Sequence, residues 1–308
     1  MKSGYYIGID LGGTNLKIGL LDRNLKIAHK RVLDTERFVK KELLIAAIIR
    51  SVADIMETYR LKRPQVFGIG LGLPGPIDTS KGVVHFFPNI PDWNEVPLTR
   101  ILKAELSFPV FIDNDANLMA LAEHRLGAAK GSTNAVCLTL GTGVGGGIII
   151  NKELYRGSTY AAGEIGHMPL NEHGPRCNCG GSGCLEMYIG NRRIMERVTA
   201  VFGREIPLEE ISSLAHKGNK RAQDIWMEVG THLGTSLAGV VNLLNPDCVV
   251  IGGGVANAGK ILFDVVKKTV KARSMKVQAD HVVIRKAKLG SDAGLIGAAL
   301  LVKENNGA

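Results

Sequence analysis

The sequence predicts an α/β protein built from two related domains. Three observations predict it. A strand, glycine turn and second strand open the chain, the same device recurs roughly 130 residues later, and segments with apolar residues at helical spacing fill the intervals. The first device runs from the strand Tyr5 to Asp10, through the turn Leu11-Gly-Gly-Thr-Asn15, into a strand from Leu16 to Asp22, with Gly12 and Gly13 at its tip. The second lies between Val136 and Leu154, around Gly141 to Gly147. Each half then forms one domain.

The intervening elements follow in order. Lys41 to Tyr59 places Leu44, Ala47, Ile48, Ser51, Val52 and Ile55 at helical spacing, and Val66 to Leu73 is a buried strand ending in a Pro74-Gly75 loop. From Gly75 to Pro97 the chain reads as loop, too long for a plain connection and therefore a candidate binding segment. Pro109 to Gly127 is a strand running into a helix, with Asn114 and Asp115 at the junction. Helices are predicted over Arg192–Phe202, Leu208–His216 and Lys220–Leu244, and Cys248 to Gly259 gives a strand, a glycine turn and a helix start. Ser291 to Asn305 reads as an amphipathic helix.

At 308 residues, with 45% hydrophobic and 22% charged residues, the chain holds enough apolar material for two ordinary cores. No apolar run approaches the ~20 residues of a membrane helix, and the N-terminus turns polar too soon for a secretory signal, so a cytoplasmic protein is expected. The net charge of +9 comes from 38 basic and 29 acidic residues, with much of the excess late, at Lys267, Lys268, Lys271, Arg273, Lys276, Arg285, Lys286 and Lys288. No aromatics interleave with those charges, which argues for a solvated face and against nucleic acid. Of five cysteines, Cys137 and Cys248 lie in apolar strand-like runs, whereas Cys177, Cys179 and Cys184 cluster, a pattern that favours metal over disulfide.

Five loops carry chemistry. In Asp10 to Lys17, Gly12 and Gly13 let backbone N–H groups approach a phosphate, Thr14 and Asn15 add polar side chains, and Asp10 can hold a hydrated Mg²⁺. Gly141, Thr142 and Gly143 offer the same cradle in the second half, and Gly252, Gly253 and Gly254 could lie flat against a nucleobase. Two glycine hairpins and this third turn are the pattern of the actin-like ATPase fold, two ribonuclease-H-like domains with ATP in the interdomain cleft. Neither hairpin opens a helix as a Rossmann G-x-G-x-x-G does.

In Asp113-Asn-Asp-Ala-Asn117, Asp115 can orient a hydroxyl and accept its proton during phosphoryl transfer, with Asn114 beside it. An Asp near pKa ~4 is a weak base for an alcohol, but the proton need leave only late, so placement matters more than basicity. The blander reading makes Asp115 an N-cap and Asn114 a turn residue. Finally Glu164-Ile-Gly-His167 precedes Cys177-Asn-Cys179 and Cys184-Leu-Glu186. Three thiolates and one imidazole make a closed tetrahedral set suited to structural Zn²⁺, which would orient the loops bearing Glu164 and Glu186. Reduced thiols without metal are the alternative.

These segments, from DLGGTNLKIG through IDNDANLMALAE, GTGVGGG, GEIGH and CNCGGSGCLE to VVIGGGV, resemble the ROK family of sugar kinases and sugar-responsive repressors over nearly the whole length. The resemblance implies ATP-dependent phosphorylation of a hexose, with Asp115 as base. It further implies that Asn114, Glu164, His167 and Glu186 contact the sugar, and that His167, Cys177, Cys179 and Cys184 bind zinc. It assigns residues 1–115 with a returning C-terminal helix, 294–308, to a small domain and 116–293 to a large one, in a homodimer or homotetramer. Family repressors carry a helix-turn-helix before the first hairpin; only a few residues precede Tyr5, so a kinase is expected.

The segments LPGPID and FPNIPDW are similar to glucokinase-type members, in which Gly75 and Asn89 would lie near the sugar. Kinases of N-acetylglucosamine or N-acetylmannosamine tend to place an arginine and a Ser or Thr there. Glucose is therefore the expected acceptor, with an acetylated hexosamine kinase, a non-catalytic sugar sensor and an actin-like ATPase as alternatives.

Overall fold

The computed structural model describes residues 4–87, 90 and 93–306. The chain divides into two compact units, Met1–Ala122 with Arg156–Ala162 and Ser291–Ala308, and Glu123–Tyr155 with Gly163–Gly290. The first boundary falls seven residues beyond the expected 115 (122 − 115), within a helix, and a short piece of the second half, 156–162, joins the first unit.

In the first unit β1 (Tyr5–Leu11) pairs antiparallel with β2 (Asn15–Asp22), which pairs antiparallel with β3 (Ile27–Asp34). After α1 (Lys41–Thr58) comes β4 (Val66–Leu73), parallel to β1. Three short strands follow, β5 (Ile77–Asp78), β6 (Val83–Phe86) and β7 (Asn94–Val96), then α2 (Leu98–Leu106), β8 (Val110–Asn114), parallel to β4, and α3 (Asp115–Arg125). The main sheet has the order β3-β2-β1-β4-β8.

The second unit repeats it. Strands β9 (Ala135–Leu140), β10 (Val144–Ile150) and β11 (Glu153–Tyr155) form the antiparallel meander. Helices α4 (Glu186–Ile189), α5 (Asn191–Phe202), α6 (Leu208–His216) and α7 (Lys220–Leu244) lead to β12 (Cys248–Gly252), parallel to β9. Then come α8 (Lys260–Arg273), α9 (Lys276–His281) and β13 (Val283–Lys286), parallel to β12, giving β11-β10-β9-β12-β13. Two sheets of one order and one pattern of strand direction are what duplication of the opening device requires. The last helix, α10 (Ala293–Asn305), returns to the first unit.

Two sequence expectations change. Residues 75–97 are not simply loop: β5, β6 and β7 form a three-stranded antiparallel sheet backed by buried Phe87, Ile90 and Trp93. Strands of two to four residues are too short to leave an alternating pattern, and their turn is set by Asp78, whose Oδ1 accepts from Ser80 N (3.0 Å), Ser80 Oγ (2.6 Å) and Lys81 N (2.9 Å). Those bonds hold the Asp78 carboxyl down at a pKa of about 2, the Ser80 hydroxyl contributing most.

Nor is α10 amphipathic. Ala293, Gly294, Leu295 and every residue from Gly297 to Val302 are buried, so the helix is a core element covered all round. Its approach to the sheet is closer than side chains allow. A Cβ on Gly70 of β4 would lie 1.9 Å from the Ala298 carbonyl oxygen, one on Gly8 of β1 2.4 Å from that of Leu295, and one on Gly297 2.0 Å from that of Leu118. Glycine at these positions lets the helix rest backbone to backbone on β1, β4 and α3. Among the described residues no helix is long and apolar enough to cross a membrane.

The expected outcome for Gly70→Ala is a loss of about 3 kcal/mol, at the upper end of overpacking costs because carbonyl backbone cannot swing aside as a side chain can. Urea unfolding followed by far-UV circular dichroism measures it.

Candidate functional site

In the first unit the glycine turn folds as the sequence predicts. Gly12 N donates to Asn15 O at 2.8 Å, Thr35 N donates to Thr14 O at 2.9 Å, and Gly13, Thr14 and Asn15 stand exposed at the tip. Asp10, at the end of β1, meets Lys17 Nζ at 3.1 Å, and the same ammonium donates to Ser291 O at 2.7 Å. A Cβ on Gly294 would come within 2.5 Å of Asp10 Oδ1, so the first turn of α10 is cut back to admit this carboxylate. Burial raises the Asp10 pKa, and the Lys17 charge opposes that rise without cancelling it.

The turn after β8 is organised by Asn114. Its Oδ1 accepts from Ala116 N (2.9 Å) and Asn117 N (3.3 Å), and its Nδ2 donates to Gly75 O (3.3 Å), where Gly75 takes a positive φ of 89°. Asn114 thus caps α3, satisfying N–H groups that would otherwise lack partners. Asp115, first residue of the helix, accepts from Ala116 N at 2.7 Å. Behind both, Asp113 is 1% exposed and ion-paired with Arg156 at 2.7 Å. Sequence reasoning missed Arg156: its partner lies 43 residues away, and no local pattern announces the pair. Asn89 lies outside the described residues.

In the second unit the remaining positions gather on the β9–β10 hairpin. Gly141 N donates to Gly143 O at 2.9 Å, closing the hairpin, and Glu186 Oε2 accepts from Val144 N at 2.8 Å. Gly252 ends β12 and Gly253 and Gly254 follow it; Gly253, with φ 83°, passes so close that a Cβ would stand 2.2 Å from Leu140 O, which brings this turn against the end of β9. A Cβ on Gly166 would meet Val144 O at 2.2 Å, so the single turn Ile165–His167 also rests on β10. Burial raises the Glu164 pKa, with the His167 ring opposing and the Glu186 charge adding to it.

His167, Cys177, Cys179 and Cys184 place one donor atom each within 4.8 Å of one another. Cys177 Sγ lies 3.6 Å from His167 Nδ1, and Cys179 Sγ lies 3.6 Å from Cys184 Sγ. Metal–donor bonds of ~2.0 to 2.3 Å at tetrahedral angles put donors about 3.6 to 3.8 Å apart, so the set fits a four-coordinate metal ion with no open position. The Gly181 N–H lowers the Cys179 pKa, whereas burial pushes that of Cys184 up to about 12. A bound cation would supply the charge that draws the buried thiol to thiolate. The opposite ring nitrogen of His167, Nε2, faces Glu164 Oε2 at 3.9 Å. Cys137 and Cys248 are buried in β9 and β12 and belong to the core.

Two sheets of one topology, each with a glycine hairpin, together with a carboxylate at a strand-to-helix turn, define the actin-like ATPase class that includes sugar kinases. The chain belongs to the ROK family, whose pattern matches residues 6–305. A glucokinase of Halalkalibacterium halodurans is 36% identical over 319 aligned residues, covering 99% of this chain and 96% of that protein. The crystal structure of a ROK family glucokinase from Streptomyces griseus, in complex with glucose and AMPPNP, superposes with a TM-score of 0.84 at 33% identity, covering 98% of this chain and 100% of that one. A ROK family transcriptional regulator, a homologue of the Escherichia coli MLC protein, superposes at 0.90 with 27% identity, covering 98% of this chain and 78% of that one.

Because burial disfavours ionised Asp10, folding prefers its protonated form. Below the unfolded pKa of ~4 both states are protonated and no penalty exists. As pH rises through the raised folded value, the folded state loses stability relative to the unfolded one. Asp10→Asn is therefore expected to melt higher than wild type at pH 7, the gap closing as pH falls below ~4, while its KM for Mg-ATP rises. Thermal melts across pH and steady-state kinetics check the two halves.

Proposed function

We propose that the protein is an ATP-dependent hexokinase that phosphorylates glucose at the 6-hydroxyl. The observation that carries the reading is the Asp113–Asn117 turn, where Asn114 caps α3 and Asp115, sharing the Ala116 N–H, stands beside it. Full-length likeness to glucokinases supports the acceptor.

In this reading Gly12, Gly13, Thr14, Asn15 and Lys17, with Gly141, Thr142 and Gly143, hold the phosphates, and Gly252, Gly253 and Gly254 bound the nucleobase. Mg²⁺ at Asp10 would neutralise charge developing on the phosphate oxygens. Asn114, Glu164, His167 and Glu186 hold sugar hydroxyls, and Gly75 and Asn89 select glucose over acetylated sugars. The 6-oxygen bonds to the γ-phosphorus as the bond to the β-γ bridging oxygen breaks; the hydroxyl proton passes to Asp115, and ADP leaves. Rate comes from holding that oxygen in line and accepting its proton late.

Structural zinc at His167, Cys177, Cys179 and Cys184 would fix the His167 ring and the loops bearing Glu164 and Glu186. Use of ATP favours the cytoplasm, and family likeness favours a homodimer or homotetramer. The second reading, a sugar sensor without turnover, draws on the close fit to the transcriptional regulator.

Coupled ATP turnover against glucose, mannose, fructose, N-acetylglucosamine and N-acetylmannosamine decides between them. Glucose is expected to dominate; an acetylated sugar in its place would defeat the acceptor assignment, and saturable glucose binding without turnover would favour the sensor. Asp115→Asn is expected to lower kcat by about 10³-fold with glucose affinity largely kept, and residual activity within about tenfold of wild type would remove Asp115 as base.

For the metal, protein purified without chelator is expected to carry about one zinc per chain. Cys179→Ser should lose it and bind glucose about tenfold more weakly. Elemental analysis and calorimetry read both, and fully active, zinc-free protein would defeat the assignment.

A further inference from the structure

We propose that Arg156 is a positioning residue for phosphoryl transfer, acting through the buried carboxylate of Asp113 on the turn that presents Asn114 and Asp115. The inference rests on the reading of Asp115 as base.

A carboxylate 1% exposed must find its compensation inside the protein. Asp113 finds four donors, divided between its two oxygens. Oδ1 accepts from Asn114 N at 2.8 Å and from Asn117 Nδ2 at 3.0 Å, both on the turn itself. Oδ2 accepts from Arg156 Nε at 2.8 Å and faces Arg156 Nη2 at 2.7 Å. One oxygen therefore fastens the turn and the other fastens Arg156. Removing the guanidinium strands a buried negative charge, which the turn can relieve only by moving or by taking up a proton, and either change weakens the hold on Asn114 and Asn117.

The placement of Arg156 fits this task better than one of bulk stability. Buried ion pairs stabilise little compared with apolar packing of similar volume, so an arginine reaching into a buried turn is better explained by the geometry it fixes. Its segment, 156–162, belongs to the first unit while the residues on both sides belong to the second. The segment closes on itself through Ala162 N donating to Arg156 O at 3.0 Å, with Gly157 at φ 71°, and leads directly to Gly163 and Glu164. An anchor at Arg156 thus sets where this segment sits against β8 and the start of α3.

The test compares wild type, Arg156→Met, Arg156→Lys and Asp113→Asn by kcat, KM, glucose Kd and melting temperature. Arg156→Met is expected to lower kcat by about 10²-fold, as misplacing a reacting group by an ångström does, with glucose Kd weakened by no more than about tenfold through Asn114 on the same turn. Arg156→Lys should recover only part of kcat, because one ammonium cannot present two coplanar N–H groups to a single oxygen. A variant that melts lower but keeps kcat within about threefold of wild type would overturn the proposal, leaving Arg156 a purely structural residue. Should Arg156→Met fail to fold, Asp113→Asn reads the same split: kcat falling well beyond any weakening of Kd supports the latch, and unchanged kcat overturns it. A wild type that phosphorylates no hexose overturns the functional reading and the latch together, whereas an active wild type matched by Arg156→Met overturns the latch alone.

Discussion

The first unit depends on one steric constraint: α10 lies so close to its sheet that a carbonyl oxygen occupies the place of a Cβ. Gly8 and Gly70 give up side chains to Leu295 O and Ala298 O, and Gly297 gives up its own to Leu118 O. This contact joins β1, β4 and α3 to one helix, and those three elements carry or border Asp10, Gly75 and Asp115. A helix held at ordinary side-chain distance would leave Asp10 with no wall behind it. Gly294, which makes room for the Asp10 carboxylate, is the functional end of the same packing.

The second unit solves a related problem with a different partner. There glycines let loops, rather than a helix, approach the sheet: Gly163 against Gly146, Gly166 against Val144 and Gly253 against Leu140. Glu164, His167 and the Gly252–Gly254 turn are thereby brought to one strand pair, with Glu186 tied to Val144 N. The hairpin that recurs in both units is buttressed in the first by α10. In the second it is the seat of the loops that carry Glu164, His167 and Glu186.

What was legible in the sequence was local. The Asp10 to Lys17 turn, Asn114 with Asp115, and the cysteine cluster each compress their chemistry into a few adjacent residues whose spacing already fixes which atoms can meet. Contacts closed by the fold left no such trace. Arg156 reaches Asp113 across 43 residues, and Glu123, fully buried, accepts from Lys288 N and Leu289 N across 165 and 166. The amphipathic reading of α10 failed for a related reason: its glycines and alanines report how near a neighbour comes, which a count of polar and apolar positions does not register. Residues 77–96 concealed a sheet because strands so short are specified by their turns and by the burial of Phe87 and Trp93.

These carboxylates, Asp10, Asp113 and Glu123 largely buried and Glu164 half exposed, sort themselves by how fully the protein compensates them. Asp113 and Glu123 each collect several N–H donors and so serve as fixed joints, Asp113 through Arg156 and its own turn, Glu123 through Ala128 N, Lys288 N and Leu289 N. Asp10 and Glu164 are treated differently: burial raises both pKa values, and the neighbouring Lys17 and His167 offset only part of the cost. Folding alone would favour a neutral residue at Asp10. In the proposed reading the partner that completes each carboxylate is a ligand, a hydrated cation at Asp10 and the sugar at Glu164. Incomplete compensation therefore distinguishes the two carboxylates that this reading assigns to ligands from the two that fasten turns.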